Sequence, residues 1–471
     1  MPADPPSTDP AAELDLSAPR RVHVTNVGGA GMSAIATVLA QMGHDVSGTD
    51  DRETPFLPPL RELGATVVVG GAGLDDPAGV DAVVTSTATP ADHPDVRAAR
   101  GAAVPVLHRR DALAAICAQR SVLAVAGTHG KSTTTGMVAT ILDGVGDGAG
   151  YLAGTRITGL GRNADWRTGP GFVVEADESD GTFLRLGATD AIVTNLEADH
   201  LSFWGTEEAL VEAFRRFVAE LDGTAVLCLD DPGSAGLVDA ARTPLTYGTS
   251  DAADVRLSDI GPAGIGVRFR LHHGDDVVDV EVPAAPGAHN ARNAAGAVAA
   301  CVARGVPLAD AARAIGGFAG VARRFEQRGV AGGVTFVDSY DHLPTEVAAA
   351  LAAARTGPFD RVVCVFQPHR YTRTRDLAHT FADAFVDADV LGVTELYTAG
   401  EAPIEGVSGR LVLDAVAGAH PDADATFLAD LDAAVDWLVD VLRPGDLCLT
   451  LNAGDLTTVP DRVIAELGER S

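Results

Sequence analysis

Lysine is nearly absent from this chain of 471 residues: Lys131 is the only one, and every other basic side chain except histidine is arginine. Positive charge as a whole is scarce. The 35 Lys and Arg stand against 65 Asp and Glu, leaving a net charge of −30 and a pI near 4.6. That field repels phosphates, which excludes a nucleic-acid scaffold or a binder of anionic membranes. Any phosphate ligand must be held locally, by glycine loops, helix N-termini or a metal. Cysteine is sparse too: Cys117, Cys228, Cys301, Cys364 and Cys448 lie in apolar surroundings with no Cys-x-x-Cys pair. This excludes a disulfide scaffold and reads as buried, reduced thiols of a cytoplasmic protein. No apolar run approaches the roughly 18 residues a membrane span needs. The first twenty residues are rich in Pro, Ala and Asp and lack the basic start and apolar stretch of a signal peptide, so residues 1–20 read as a flexible tail. An acidic, lysine-poor chain fits either a high-salt cytoplasm or a GC-rich genome, and composition does not separate the two.

What remains is an ordinary globular composition, 46% hydrophobic and 21% charged. At roughly 150 residues per domain the length suggests three domains. Short β-branched runs alternate with Ala/Leu-rich helical patterns throughout, the signature of α/β architecture on parallel sheets. The first block covers residues 21–118, with strands expected over 22–27, 44–48, 67–69 and 82–85 and a helix over 33–42. The second covers 119–321, opens on a strand over 122–125 and includes an irregular, strand-rich stretch around 224–282. The third covers 322–471, with strands over 334–337, 362–366, 390–394 and 447–451. The glycines of 316–320 mark the boundary between blocks two and three.

The most specific feature is the strand Val122–Val125 running into Gly127-Thr128-His129-Gly130-Lys131-Ser132-Thr133. Backbone N–H groups of such a loop cradle phosphate oxygens, the lysine pairs with terminal phosphates, and the serine hydroxyl reaches Mg²⁺. The one lysine stands where phosphate chemistry requires it. Two acidic runs follow apolar strands: Glu175-Ala-Asp177-Glu178-Ser-Asp180 and Asn195-Leu-Glu197-Ala-Asp199-His200. Ligands bind at the carboxyl ends of strands in open α/β sheets, and carboxylates there suit Mg²⁺; Glu175 and His200 are the expected metal ligands. The first glycine turn, Gly28-Gly29-Ala30-Gly31-Met32-Ser33, with Asp50 ending the next strand, fits either a dinucleotide or a nucleotide-sugar site. Asn290 and Asn293 open an Ala-rich helix, where their amides either read an adenine edge or cap the helix. In the third block, Tyr340 and His342 follow a strand, and Arg370, Arg373 and Arg375 fall within six residues, suited to a carboxylate or phosphate.

In this order, over about residues 21–460, these motifs resemble the Mur ligases of peptidoglycan synthesis, and among them the branch that joins L-alanine to UDP-N-acetylmuramate. Arg323-Arg324-Phe325-Glu326 adds to the likeness. The resemblance implies a Rossmann-like N-terminal domain, a central P-loop ATPase-type domain and a Rossmann-like C-terminal domain. It implies ATP and Mg²⁺ as cofactors and an acyl-phosphate route to an amide. Gly28 to Ser33 and Asp50 would bind the UDP-sugar. Gly127 to Thr133, Asn290, Asn293 and Arg323 would bind ATP. Ser132, Glu175 and His200 would hold metal, and Lys131, Glu175, His200 and Arg324 would serve catalysis. Tyr340, His342, Arg370 and Arg373 would hold the amino acid. It implies no nucleic-acid partner, no membrane insertion, and a monomer or homodimer.

The chain departs from that pattern in places. The usual Asp-Asp-Tyr-Gly/Ala-His-His-Pro reads Asp338-Ser339-Tyr340-Asp341-His342-Leu343-Pro344. Ala288 stands for Arg, Ser202 for Asp and Asn452 for Gly. These changes bear on the choice of amino acid among L-Ala, Gly, L-Ser or another acceptor. A carbamoylated lysine beside the metals, used by some relatives, is impossible with Lys131 alone. Competing readings are a paralog such as a murein peptide ligase, an NAD(P)-linked nucleotide-sugar oxidoreductase built on the first turn, and a non-catalytic ATP-binding descendant.

Overall fold

The computed structural model describes residues 14–71 and 73–470. Three sheets carry the fold. The first is parallel: β1 (Arg21–Thr25), β2 (Asp45–Asp50), β3 (Thr66–Val69), β4 (Ala82–Thr85) and β5 (Val106–His108), in the order β3-β2-β1-β4-β5. The order reverses between β1 and β4, and such a switch point opens a crevice for a ligand at the strands' carboxyl ends. The glycine turn after β1 lies there.

The second sheet has ten strands: β6 (Ser121–Ala126), β7 (Gly150–Ile157), β8 (Arg162–Asp165), β9 (Gly171–Glu175), β10 (Asp190–Val193), β11 (Ala225–Cys228), β12 (Pro244–Gly248), β13 (Val255–Ala263), β14 (Gly266–His273) and β15 (Asp276–Val282). Their order is β15-β14-β13-β12-β11-β10-β6-β9-β7-β8. Strand β6 is buried from Val122 to Ala126, the continuous apolar run of a strand covered on both faces. It lies between β10 and β9 with parallel pairing on both sides. The third sheet has the order β16-β17-β21-β18-β19-β20, from β16 (Glu326–Ala331), β17 (Val334–Ser339), β18 (Arg361–Gln367), β19 (Val390–Thr394), β20 (Ala425–Leu428) and β21 (Asp446–Asn452). Only β16 pairs antiparallel there.

The chain forms two compact units. Of the described residues, the first holds those up to 259, 269–280 and 292–319, with the first sheet and most of the second. The second spans 260–268, 281–291 and 320–471 and holds the third sheet. Their last boundary falls between Ala319 and Gly320, within the glycine stretch read as a border.

Several sequence expectations are corrected. The first helix is Ala30–Gln41, not 33–42, because Gly29 already takes the extended N-cap geometry and the glycine turn itself enters the helix. The stretch 224–282 is strand-rich, as expected, but more ordered than its sequence suggests: it forms β11–β15, with two short helical turns over Pro232–Ala235 and Val238–Ala240. Of the segment read as a tail, residues 1–13 lie outside the described residues, while Leu16 is buried in a hydrophobic cluster that also holds Val22 and Ile35, Leu14 packs against that cluster, and the Arg20 N–H donates to His44 Nδ1 at 3.1 Å. Short elements such as β5, β8 and β20 escaped notice because three or four residues show no readable period.

Candidate active site

Parallel order brings three loops of the first unit together, because β9, β6 and β10 are neighbours and their carboxyl ends point the same way. Gly127 and Gly130 have φ of +127° and +81°, the left-handed region that favours glycine. A Cβ at Gly127 would lie 2.2 Å from Thr194 Oγ1; one at Gly130 would meet the Asn293 amide at 2.7 Å. The loop therefore lies flat on β10 and on the helix carrying Asn293. Asn195 braces it, accepting from the His129 N–H at 2.8 Å and donating to the His129 carbonyl at 3.1 Å. Thr128 Oγ1 accepts from Glu197 N at 2.9 Å.

Lys131 opens the helix Lys131–Gly144, and its ammonium donates to the carbonyls of Gly127 (2.7 Å) and Thr128 (3.0 Å) and to Glu178 Oε1 (3.0 Å). Glu178 is fully buried; burial pushes its carboxyl up and Lys131 opposes the shift. Ser132 Oγ donates to Glu175 Oε1 at 2.9 Å, and Glu175 Oε2 accepts from Gly154 N at 2.6 Å. His200 has φ +53°, with Nε2 at 3.7 Å from Glu178 Oε1 and 3.6 Å from Asp199 Oδ2. The side chain of Ser202 lies outside the described residues.

The acidic run after β9 is thus divided among three duties, which its sequence did not reveal. Asp177 and Asp180 are not positioned as metal ligands. Both accept from Arg109, at 2.6 and 2.8 Å from Nη2, and Arg109 opens the helix Arg109–Cys117 directly after β5. The signal was available only as an Arg109-Arg110 pair after a short strand. A Cβ on Gly31 would lie 3.6 Å from Arg109 Nη1, so this ion pair runs from the first glycine turn to the acidic run after β9. Asn163 adds a second tie, donating to Ala30 O at 2.8 Å and Ser33 Oγ at 3.1 Å.

Burial raises the Asp177 carboxyl, but Arg109 outweighs it and the group settles at about 2. A depressed carboxyl stabilises the fold above its unfolded value near 3.8 and loses that contribution as pH falls towards about 2. Asp177 is a third exposed, so screening trims the effect to about 1–2 kcal/mol. Denaturant titrations of wild type and Arg109→Ala from pH 7 down to pH 3 should converge as pH falls. Parallel curves would show that the pair contributes nothing.

In the first turn, Asp50 Oδ2 accepts from Gly28 N at 2.8 Å, and Thr54 Oγ1 donates to Gly28 O at 3.0 Å. A Cβ on Gly28 would collide with both side chains at 2.8 Å. Asp50 thus braces the turn. Met32 and Ser33 are buried within the helix and shape the turn from beneath, while Gly29, Ala30 and Gly31 lie at its surface. Thr87 and His108, joined at 3.1 Å, stand at the ends of the neighbouring β4 and β5.

The second unit gathers the remaining candidates, because β17, β21 and β18 are adjacent: Ser339 pairs with Leu451, and Gln367 with Asn452. Arg323 donates to Asn452 Oδ1 at 2.9 Å and lies 4.6 Å above the Tyr340 ring. Arg324 lies 5.6 Å from the same ring and 3.9 Å from Asp341. His342 Nδ1 lies 2.9 Å from Tyr340 O, and the His342 ring is 5.8 Å from that of His369. Arg373 Nη1 donates to His369 Nδ1 at 3.0 Å. Burial first, then Arg373, hold His369 down at about 4, so it is neutral with Nε2 carrying the proton. Arg370 is exposed with φ +71°, its N–H held by Tyr397 O at 2.8 Å. Asn290, the third residue of the helix Ala288–Ala303, donates to Pro286 O at 2.7 Å. Asn452 is fully buried and joins Arg323 to Asp338.

The chain matches the Mur ligase catalytic domain over residues 21–121, the Mur ligase middle domain over 125–301, and the Mur ligase glutamate ligase domain over 323–454. The chain belongs to the Mur ligase family. It is 42% identical to a UDP-N-acetylmuramate–L-alanine ligase of Geobacter sp. (strain M21) over 451 residues, 95% of this chain and 97% of that one. A protein of the same name from Bradyrhizobium sp. (strain ORS 278) is 45% identical over 93% and 95%. The crystal structure of a UDP-N-acetylmuramate-alanine ligase from Thermotoga maritima aligns with a TM-score of 0.83 at 26% identity, over 96% of this chain and all of that one. As a Mur ligase, the chain has a P-loop domain that accounts for Lys131, whereas the oxidoreductase reading left it without a role.

Proposed function

We propose that this Mur ligase joins L-alanine to the muramoyl carboxylate of UDP-N-acetylmuramate at the expense of ATP, a step of peptidoglycan precursor synthesis. The observation that carries the reading is the full-length likeness to ligases named for that reaction; Lys131 and Ser132 after β6 and Glu175 at the end of the neighbouring β9 support it. The muramoyl carboxylate attacks the γ-phosphate, releasing ADP and leaving an acyl phosphate. The alanine amine then attacks the carbonyl and expels phosphate.

Lys131 neutralises the transferring phosphoryl group, and the loop N–H groups hold the other phosphates. Ser132 and Glu175 form a hard-oxygen pair that suits Mg²⁺, with His200 for a second ion. Among the described residues no three His, Cys, Asp or Glu cluster as a metal cage; Mg²⁺ at a phosphate loop takes most of its ligands from phosphate and water. Bound there, Mg²⁺ would supply charge neutralisation at the γ-phosphate. Gly29, Ala30 and Gly31 present the helix N-terminus to the diphosphate of the UDP-sugar, with Asp50 holding the turn in shape. Arg323 and Arg324 serve the phosphates, and the cluster of Tyr340, His342, Arg370 and Arg373 holds the amino acid. The five cysteines are buried free thiols, and no helix among the described residues is long and apolar enough to cross a membrane. We place the reaction in the cytoplasm, where ATP and UDP-sugars are at hand.

The test is phosphate release with Mg-ATP and UDP-N-acetylmuramate, with and without L-alanine and a panel of other amines, and product mass. Alanine-dependent release and a product heavier by one alanyl residue would establish the reading. Release with another amine only would make the protein a paralog of altered specificity. No release despite ATP binding would make it a non-catalytic descendant. Within the active enzyme, Arg370→Ala should raise the L-alanine KM about tenfold, the loss of a charge-assisted contact, and leave the ATP KM in place. An unmoved L-alanine KM would place the pocket elsewhere.

A further inference from the structure

The loop after β18 holds Arg370 in a conformation that an L side chain rarely adopts, with φ +71° and ψ +140°. Such a strained position persists only where the surroundings over-determine it, and strain of this kind gathers at active sites and ligand clamps. Here the surroundings come from the loop after β19. Strands β18 and β19 are parallel neighbours, with Phe366 opposite Val393, so the two loops leave the sheet side by side. Tyr397 donates its N–H to Pro368 O at 2.8 Å and accepts the N–H of Arg370 at 2.8 Å. Four residues on, Glu401 accepts from Thr372 N at 3.0 Å and from Thr372 Oγ1 at 2.7 Å. The Arg370 carbonyl is held in turn by Thr374, from N at 3.0 Å and from Oγ1 at 2.8 Å.

The Tyr397 side chain adds what these bonds do not. Its ring is stacked on that of His369, with centroids 5.7 Å apart and planes 12° from parallel. The root of the side chain rests on bare backbone: a Cβ at Gly454 would fall 2.5 Å from Tyr397 Cγ. His369 Nδ1 accepts from Arg373 Nη1 at 3.0 Å, and its ring meets that of His342 at 5.8 Å. Arginine has no acceptor, so Nδ1 carries no proton while this bond stands. The lone pair of that nitrogen lies in the ring plane. The plane of His369 therefore sets the direction from which the Arg373 guanidinium can donate. A stacked ring fixes such a plane; an aliphatic side chain of similar bulk does not.

We propose that Tyr397 is a positioning residue for the acceptor amino acid. Its ring orients His369, and through His369 the guanidinium of Arg373, while its main chain holds Arg370 in the strained turn. The proposal rests on the ligase reading above, which gives Arg370 and Arg373 to the amino acid and leaves Tyr397 without a part.

The test is steady-state kinetics in the phosphate-release assay with Y397L, which fills the space without a flat face, Y397F, which keeps the face, and H369A. Y397L should raise the L-alanine KM about fivefold, the scale of weakening one hydrogen bond, and leave the ATP and UDP-sugar KM values in place. Y397F should hold the L-alanine KM near that of wild type. H369A should raise the same KM, and Y397L in the H369A background should raise it no further, because the tyrosine ring acts through the imidazole. Should Y397L fail to fold, Y397M takes its place under the same expectations. An unmoved L-alanine KM in Y397L would overturn the assignment, as would a Y397F as impaired as Y397L, losses that multiply in the double variant, or a rise shared by all three substrates. Wild type that releases no phosphate with L-alanine would overturn the ligase reading, and the assignment with it.

Discussion

Lys131→Ala is expected to lose turnover by about a thousandfold or more, the scale of removing a charge that stabilises a transferring phosphoryl group. No neighbouring lysine exists to substitute for it. The same change should also weaken the fold, because Glu178 is fully buried and has Lys131 as its counter-ion, with the closer oxygen at 2.8 Å. Stranding one member of a buried pair costs about 3–5 kcal/mol, less whatever Glu178 recovers by taking up a proton. Its carboxyl is already raised, and without Lys131 the opposing pull is gone. The double variant Lys131→Ala, Glu178→Gln separates the two effects. It should regain most of the lost thermal stability, since an amide needs no counter-charge, and remain inactive. Retained phosphate release in either variant would sink the phosphate-loop assignment; a double variant no more stable than the single one would sink the account of the pair.

Glu175→Gln is expected to lower turnover about a hundredfold or more, the scale of losing one electrostatic contact to the reacting phosphate, with little change in melting temperature. The side chain keeps its shape, and its carbonyl oxygen still accepts from Gly154 N, a contact of 2.6 Å in the native protein. What it loses is the charge beside Ser132 Oγ. The telling measurement is the Mg²⁺ concentration that gives half-maximal rate. It should rise in Glu175→Gln and again in Ser132→Ala, whereas an equal loss of rate at every Mg²⁺ level would take this pair out of the metal site.

Much of this protein was legible locally. The phosphate loop needs its glycines at positions 127 and 130 because of backbone conformation and close approach, both of which act within a few residues. The alternation of short apolar runs with helical patterns specified parallel sheets, since strands buried on both faces read as continuous apolar segments. The family likeness followed from the order of motifs. Boundaries drifted by a few residues where a glycine turn passed into a helix, as at Ala30.

Tertiary structure decided which acid does what. Nothing in Glu175-Ala-Asp177-Glu178-Ser-Asp180 distinguishes its four carboxylates. Their partners, Ser132, Arg109 and Lys131, lie about 40 to 70 residues away in sequence; parallel sheet order brings Ser132 and Lys131 to the run, since neighbouring parallel strands are joined by long crossovers. Arg109 comes from the end of a strand of the first sheet to a loop of the second, a contact no local pattern encodes.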